Sequence, residues 1–126
     1  MHRQFALTLL FLVVSAAASA ADLSCSIRPK KDIRPAELQN LTKVTQAEAQ
    51  KAALAKIKAS STKIESAELE VELGCLVYSF DIAIAGKPGI EEMIVDAGTG
   101  KVLSHEHESA KQEAAERTKD GAFLRR

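Results

Sequence analysis

A two-residue periodicity over residues 68–84 constrains the fold of this chain more than any other feature. Between Glu68 and Leu73, three acidic residues alternate with three aliphatic ones. Beyond Gly74, the alternate positions hold Leu76, Tyr78, Phe80, Ile82 and Ile84. A period of two is the repeat of a β-strand, and glycine favours a turn. The segment therefore predicts two strands joined at Gly74, with the acids of the first strand facing outward.

Two more strands are predicted after a turn at residues 86–89. The third covers Glu91 to Val95, and the fourth runs from Lys101 to about Glu106, beyond a tight turn at residues 96–100. Short loops between successive strands are typical of an antiparallel meander.

A helix is predicted before the strands, from Gln46 to about Ala59. Thr45 and Glu48 have the spacing of a capping box, which marks the start of a helix. On a helical wheel, one arc holds Ala47, Ala49, Ala53, Leu54 and Ile57, and the opposite arc holds Glu48, Lys51, Lys56 and Lys58. The predicted fold class is therefore α+β, with one amphipathic helix packed on an antiparallel meander sheet of three to four strands.

The first twenty residues have the pattern of a signal peptide. A short basic start precedes about ten apolar residues, Phe5 to Val14, which are too few to span a bilayer. Small residues lead to Ala20, where we expect cleavage, and Ala21 is a second fitting position. The mature protein is then periplasmic or secreted, with no membrane span. An uncleaved anchor is the alternative, whereas a lipid anchor at Cys25 fits less well because Leu23 lies one position too close.

The charge balance argues against nucleic acid as a partner. Loss of residues 1–20 removes Arg3 and no acid, which leaves 16 basic and 17 acidic side chains. Binding to nucleic acid gains its affinity from basic side chains that displace counterions from phosphates, and this chain has no basic excess.

Two cysteines, Cys25 and Cys75, follow the leader. In the oxidising compartment of an exported protein, an even pair predicts a disulfide bond. Closing this loop stabilises the fold by roughly 3–4 kcal/mol in the chain-entropy model. The alternative is a thiol site for metal or redox chemistry, which we favour less because the chain lacks a CxxC pair.

The remaining segments flank the predicted domain, which covers residues 44–108. Residues 21–43 form an N-terminal arm in which Pro29 and Pro35 argue against a regular element. The arm contains four basic residues, Arg28, Lys30, Lys31 and Arg34. They form either an anion-docking strip or a solvated linker, and we favour the linker. Residues 109–126 form a charged tail that we expect to be frayed or disordered.

The order and spacing of three motifs resemble the PepSY domain family over residues 44–104. The helix matches the form T-x-A-E-A-x-x-x-A-L between Thr45 and Leu54. An acid-rich strand and an aromatic strand follow as SAELEVELGCLVYSFDIAI. The closing signature V-D-A-x-T-G-K-V-L stands at Val95 to Leu103 and is the most specific of the three.

The closing signature also has a physical reason. Asp96 and Thr99 can form hydrogen bonds with the turn backbone, and Gly98 or Gly100 can adopt a positive φ.

The resemblance implies a regulatory role and provides no catalytic site. PepSY domains occur in the propeptides of thermolysin-type metallopeptidases and in many secreted or membrane proteins of bacteria, where they restrain peptidases or regulate other proteins. The family has no catalytic residue to transfer, so we expect no enzyme and no cofactor. The resemblance implies a periplasmic module that binds and modulates a protein partner, either a peptidase or a membrane-bound sensor.

Two surface features of the sequence bear on binding. Glu68, Glu70 and Glu72 line one face of a strand, and we interpret them as a partner-binding stripe or a solvated acidic face, with no burial to shift a pKa. His105 and His107 point the same way if the last strand continues, roughly 6–7 Å apart by strand rise. Such a pair is more often merely solvated, which is the interpretation we favour. It can also bind a divalent metal together with a carboxylate from elsewhere, which gives a periplasmic metal-binding protein as the alternative function.

Overall fold

A computed structural model of the protein describes residues 23–112 and residue 115. The predicted leader lies outside the described residues, as does most of the predicted tail after residue 109. Within residues 23–112, no helix is long and apolar enough to cross a lipid bilayer.

The centre of the fold is an antiparallel sheet in which each strand pairs with the next one along the chain. The order is β1-β2-β3-β4, and the strands are β1 Thr62–Glu72, β2 Cys75–Ile84, β3 Ile90–Asp96 and β4 Val102–Glu108. One helix, α1 (Gln46–Ala55), packs on this sheet through β2 and β3. The predicted class, an α+β fold with one helix on an antiparallel meander, is therefore confirmed.

The turn between β1 and β2 differs from the prediction at Leu73, which we expected to end the first strand. Leu73 and Gly74 instead form a two-residue connection with φ values of 49° and 79°. Two successive positive φ values are typical of a type I′ turn, whose twist matches that of a hairpin. The alternation ends at Glu72 because the chain reverses there, and the Leu73 side chain is 56% exposed.

β1 begins at Thr62, earlier than the predicted start at Glu68. Its pairing with β2 shifts between Ile64 and Ser66, where an extra residue forms a β-bulge. A bulge moves the following side chains to opposite faces, so the first half of β1 has no continuous alternation in the sequence.

The helix begins as predicted and ends earlier. The Thr45 hydroxyl accepts a hydrogen bond from the Glu48 amide at 3.1 Å, and the Glu48 carboxylate accepts one from the Thr45 amide at 3.0 Å. α1 ends at Ala55 and not near Ala59, because the amides of Lys56 and Ile57 bond three residues back and tighten the last turn. Ile57 then packs against the core as the chain leaves toward β1.

The helix face of the sheet carries the main apolar core. Ala49 and Ala53 of α1 are fully buried there, whereas Ala47, which we placed on the same arc, is exposed. The small alanine side chains let α1 approach the sheet closely. The buried strand residues beneath it are Leu76, Tyr78, Phe80, Ile82, Met93 and Val95. A smaller cluster on the opposite face contains Leu23, Cys75, Val77 and Ile94.

The N-terminal arm packs on the domain and is not a linker, although its four basic residues are exposed, as we favoured. Ile27, Ile33 and Leu38 pack against the main core, and a 3-10 helix, η1, covers Pro35–Leu41. The prediction of no regular element was wrong because proline at the first position of a helix costs no hydrogen bond and sets a helical φ.

Candidate functional site

A disulfide bond fixes the start of the arm to the sheet. Cys25 and Cys75 are bonded, with their Cα atoms 5.8 Å apart, as the sequence predicted. Leu23 packs beside them on the face opposite α1. From there the arm crosses the end of the sheet, where the Ile27 carbonyl accepts a hydrogen bond from the Leu76 amide at 3.0 Å. The arm therefore reaches both faces of the sheet.

The turn after β3 holds the arm by a second contact, through Asp96. This carboxylate is buried and accepts hydrogen bonds from the hydroxyls of Ser26 at 3.0 Å and Thr99 at 2.7 Å, and from the Gly98 amide at 3.3 Å. Gly100 takes the positive φ, at 76°. Burial alone raises the pKa of Asp96, but these hydrogen bonds outweigh it and hold the pKa below its usual range.

Carboxylates crowd the sheet face opposite α1, and we give six of them the name acidic face; Glu108, which pairs with Ile90, lies on the same side. The six members are Glu68, Glu70, Glu72, Asp81, Glu92 and Glu106. The strand register places them together: Asp81 of β2 lies opposite Glu92 of β3, which lies opposite Glu106 of β4. None of the ion pairs between described residues includes one of these six carboxylates. The face therefore presents a net negative field.

Burial, together with like charges, raises the pKa of two members of the acidic face. Burial and the neighbouring carboxylates of Glu72, Glu68 and Glu92 raise the pKa of Glu70 to about 7. Burial, followed by the charge of Asp81, also raises the pKa of Glu92. Our expectation that the stripe is unburied, with no shifted pKa, was therefore wrong for Glu70, which lies opposite Val77 beside the smaller apolar cluster.

His105 and His107 do not line the acidic face. Both approach one buried carboxylate, Glu91, on the α1 side of the sheet: His105 Nε2 lies 3.1 Å from Oε2, and His107 Nδ1 lies 3.2 Å from Oε1. Lys87 Nζ donates a third hydrogen bond, at 2.5 Å. Glu91 is only 4% exposed, and burial alone raises its pKa, but these partners lower the pKa overall.

This arrangement is that of a neutralised buried acid more than that of a metal site. Each imidazole is directed at a carboxylate oxygen and not at a shared empty point. Within residues 23–112, no group of three or more His, Cys, Asp or Glu side chains is arranged to hold a metal ion. The metal-binding alternative is not favoured.

Two cavities lie beside the arm. One, of about 490 Å³, is lined by arm residues and by η1, including Ile33 and Leu41. The other, of about 410 Å³, lies between the arm and β1 and includes Lys30, Leu69 and Val71. Three basic residues of the arm, Arg28, Lys30 and Lys31, line one or both of these cavities. The fourth, Arg34, forms an ion pair with Glu37 at 2.7 Å.

Comparison with known proteins assigns the chain to a family. The family model described as "PepSY: Peptidase propeptide and YPEB domain" matches residues 43–106, half of the chain. The protein therefore belongs to the PepSY family, whose domains are inhibitory or propeptide modules, generally non-catalytic and typically extracellular or periplasmic. No curated protein sequence and no solved structure matches the chain.

Sequence reasoning missed several members of these clusters. Glu91 shares its strand parity with Met93 and Val95, so the sequence did contain the signal of an acid directed into the core. Asp81 and Glu92 belong to the acidic face only through pairing with neighbouring strands, and alternation within a single strand cannot reveal such pairing.

Proposed function

We propose that this protein is an exported PepSY module that binds a protein partner through the acidic face and modulates its activity. A peptidase or another protein of the cell envelope is the kind of partner the family suggests. The observation that carries the proposal is the six carboxylates of the acidic face, which ion pairs within the described chain leave unneutralised.

The carboxylates of the acidic face repel one another. Asp81, Glu92 and Glu106 lie directly opposite one another on three strands, and like charges in such cross-strand positions are destabilising. A partner with a basic surface relieves this repulsion, and complementary fields accelerate association. The signal-peptide pattern of residues 1–20 supports export, since the apolar run is too short to span a bilayer.

The test is capture of the partner in living cells. The chain, expressed with its own leader and a C-terminal tag, is cross-linked, and the captured proteins are identified by mass spectrometry. We expect an enriched envelope protein that is lost when Glu68, Glu70 and Glu72 are all changed to Lys. Unchanged capture by this triple variant would exclude the acidic face.

A matched control separates the acidic face from net charge. Glu65 is exposed on the same strand but is the bulge residue, and it has no partner in the β1–β2 register. We expect Glu65→Lys to retain capture and Glu68→Lys to reduce it, although both change the charge of β1 by the same amount.

A further inference from the structure

β1 forms one edge of the sheet, and its outer side is unpaired. It pairs with β2 alone, and among the described residues no other backbone hydrogen bond reaches residues 62–72. An unpaired edge presents a row of backbone donors and acceptors to which an extended segment can add.

The hairpin turn determines which backbone groups point outward. A type I′ turn at Leu73 and Gly74 closes on a hydrogen-bonded pair formed by Glu72 and Cys75. Hydrogen-bonded and non-hydrogen-bonded pairs alternate along an antiparallel ladder. The backbone groups directed outward therefore belong to the intervening residues, which are Ala67, Leu69 and Val71.

The cavity of about 410 Å³ opens onto this edge. It is lined by three consecutive residues of β1, Leu69, Glu70 and Val71, whose side chains must point to alternate faces. A cavity that contacts all three must lie along the strand edge. Lys30 of the arm and Leu38 of η1 form its other wall.

Exposed apolar side chains stand at the same end of the strand. Val71 is 43% exposed and Leu73 is 56% exposed, and within residues 23–112 the other exposed large hydrophobic residue is Leu41. Leu73 also has a φ of 49°, a conformation in which leucine is strained and Asn or Gly is favoured. The turn retains an exposed leucine where a smaller polar residue would stabilise it.

We propose that the β1 edge binds an extended segment of the partner in which apolar residues alternate with Lys or Arg. This inference rests on the proposed function and names the chemistry of the partner. In an added strand, every second side chain faces α1 and enters the cavity beside Val71, and the others face Glu68, Glu70 and Glu72. The α1 face of β1 thus selects apolar side chains of the segment, and the opposite, acidic face selects basic ones.

A second copy of this chain does not fit the edge. Pairing two β1 strands edge to edge places the acidic rows of both copies on adjacent strands, and like charges there repel. The acidic row therefore disfavours self-association and favours a basic segment.

The probe is a synthetic peptide, KVKVKVK, titrated against the protein purified after export. Its control, KKKKVVV, has the same composition and charge without alternation. We expect KVKVKVK to bind at least about tenfold more tightly, because it alone can face both sides of β1. Hydrogen exchange should show new protection of the Ala67, Leu69 and Val71 amides. Equal affinity of the two peptides, or no new protection, would overturn the inference.

A variant that keeps the fold tests the apolar anchor. Leu73→Asn suits the positive φ, so it should not lower stability. It should weaken the binding of KVKVKVK by about fivefold, because the bound peptide no longer buries the apolar side chain of Leu73. Leu41→Asn is the control, since Leu41 lines the other cavity, to which β1 contributes no residue. Equal weakening by both variants would contradict the assignment to β1.

The two proposals fail in different ways. If Glu68→Lys abolishes capture of the cellular partner while the two peptides bind equally, the acidic face binds the partner and strand addition is excluded. If Glu68→Lys leaves capture unchanged, the proposed function fails. Protection of the Ala67, Leu69 and Val71 amides by dimerisation without peptide would overturn the exclusion of a second copy.

Discussion

The hydroxyl of Ser26 donates a hydrogen bond of 3.0 Å to Oδ1 of Asp96, a residue 70 positions further along the chain. This contact joins the N-terminal arm to the signature turn of the PepSY domain. Gly98 lies directly under it, because a Cβ at that position would meet the Ser26 hydroxyl at 2.0 Å. The arm and the turn thus form one packed unit.

Loss of the Asp96 carboxylate should destabilise the fold substantially. Asp96→Ala removes the shared acceptor of Ser26, Gly98 and Thr99, and we expect a loss of about 2–3 kcal/mol in urea unfolding near neutral pH. Because the folded-state pKa is lowered, the carboxylate stabilises the fold above its unfolded pKa. That contribution is lost as the pH falls through the folded pKa. Asp32→Ala, an exposed change in the arm, is the control. A cost equal to that control would contradict this role.

Removal of the disulfide should release the arm and weaken the domain. We expect the double substitution of Cys25 and Cys75 by Ala to lower the free energy of unfolding by roughly 3–4 kcal/mol. Trypsin should then cleave at Lys30 and Lys31 faster than in the wild type. An unchanged urea midpoint would show that the noncovalent contacts of Asp96 hold the arm without the bond.

Glu70 should make stability depend on pH in the opposite sense to Asp96. Its pKa is raised to about 7, so the folded state keeps a proton that the unfolded chain releases at lower pH. The free energy of unfolding therefore falls as the pH rises from the ordinary glutamate pKa to about 7. Glu70→Gln should therefore stabilise the protein more at about pH 8 than at about pH 5. Glu65→Gln makes the same chemical change at an exposed position of the same strand and is the control. Equal pH dependence of the two variants would contradict the raised pKa.

The histidines should contribute to stability and not to metal binding. His105→Ala combined with His107→Ala leaves buried Glu91 with Lys87 as its remaining partner in the cluster, and we expect a loss of about 1–2 kcal/mol at neutral pH. Calorimetric titration with Zn²⁺ should give the same result for this variant and the wild type. Zn²⁺ binding that disappears in the variant would revive the metal-binding alternative.

Local patterns determined much of what could be predicted. Alternation through Tyr78 and Phe80 is long enough to identify β2, and the pair Thr45 and Glu48 fixes the start of α1 because a capping box depends on a spacing of three residues. An even pair of cysteines after the signal-peptide pattern predicted the bond between Cys25 and Cys75 without any knowledge of the fold.

Features that depend on distant pairing could not be predicted in this way. The bulge before Ser66 hid the first half of β1, and the position of Leu73 depends on where the chain reverses. The acidic face assembles residues from all four strands, so Glu92 joins Asp81 only once the register is known. The contact of Ser26 with Asp96 likewise has no local signal in the sequence.

Affinity measured against ionic strength shows whether the acidic face binds the partner. The captured partner is purified and titrated with the wild type, Glu68→Lys and Glu65→Lys proteins at low and physiological salt. We predict that wild-type and Glu65→Lys affinities both fall as salt rises, because screening weakens exposed charges. Glu68→Lys should bind about tenfold more weakly at low salt and depend less on salt. Equal affinity and an equal salt dependence for all three proteins would show that the acidic face does not bind the partner.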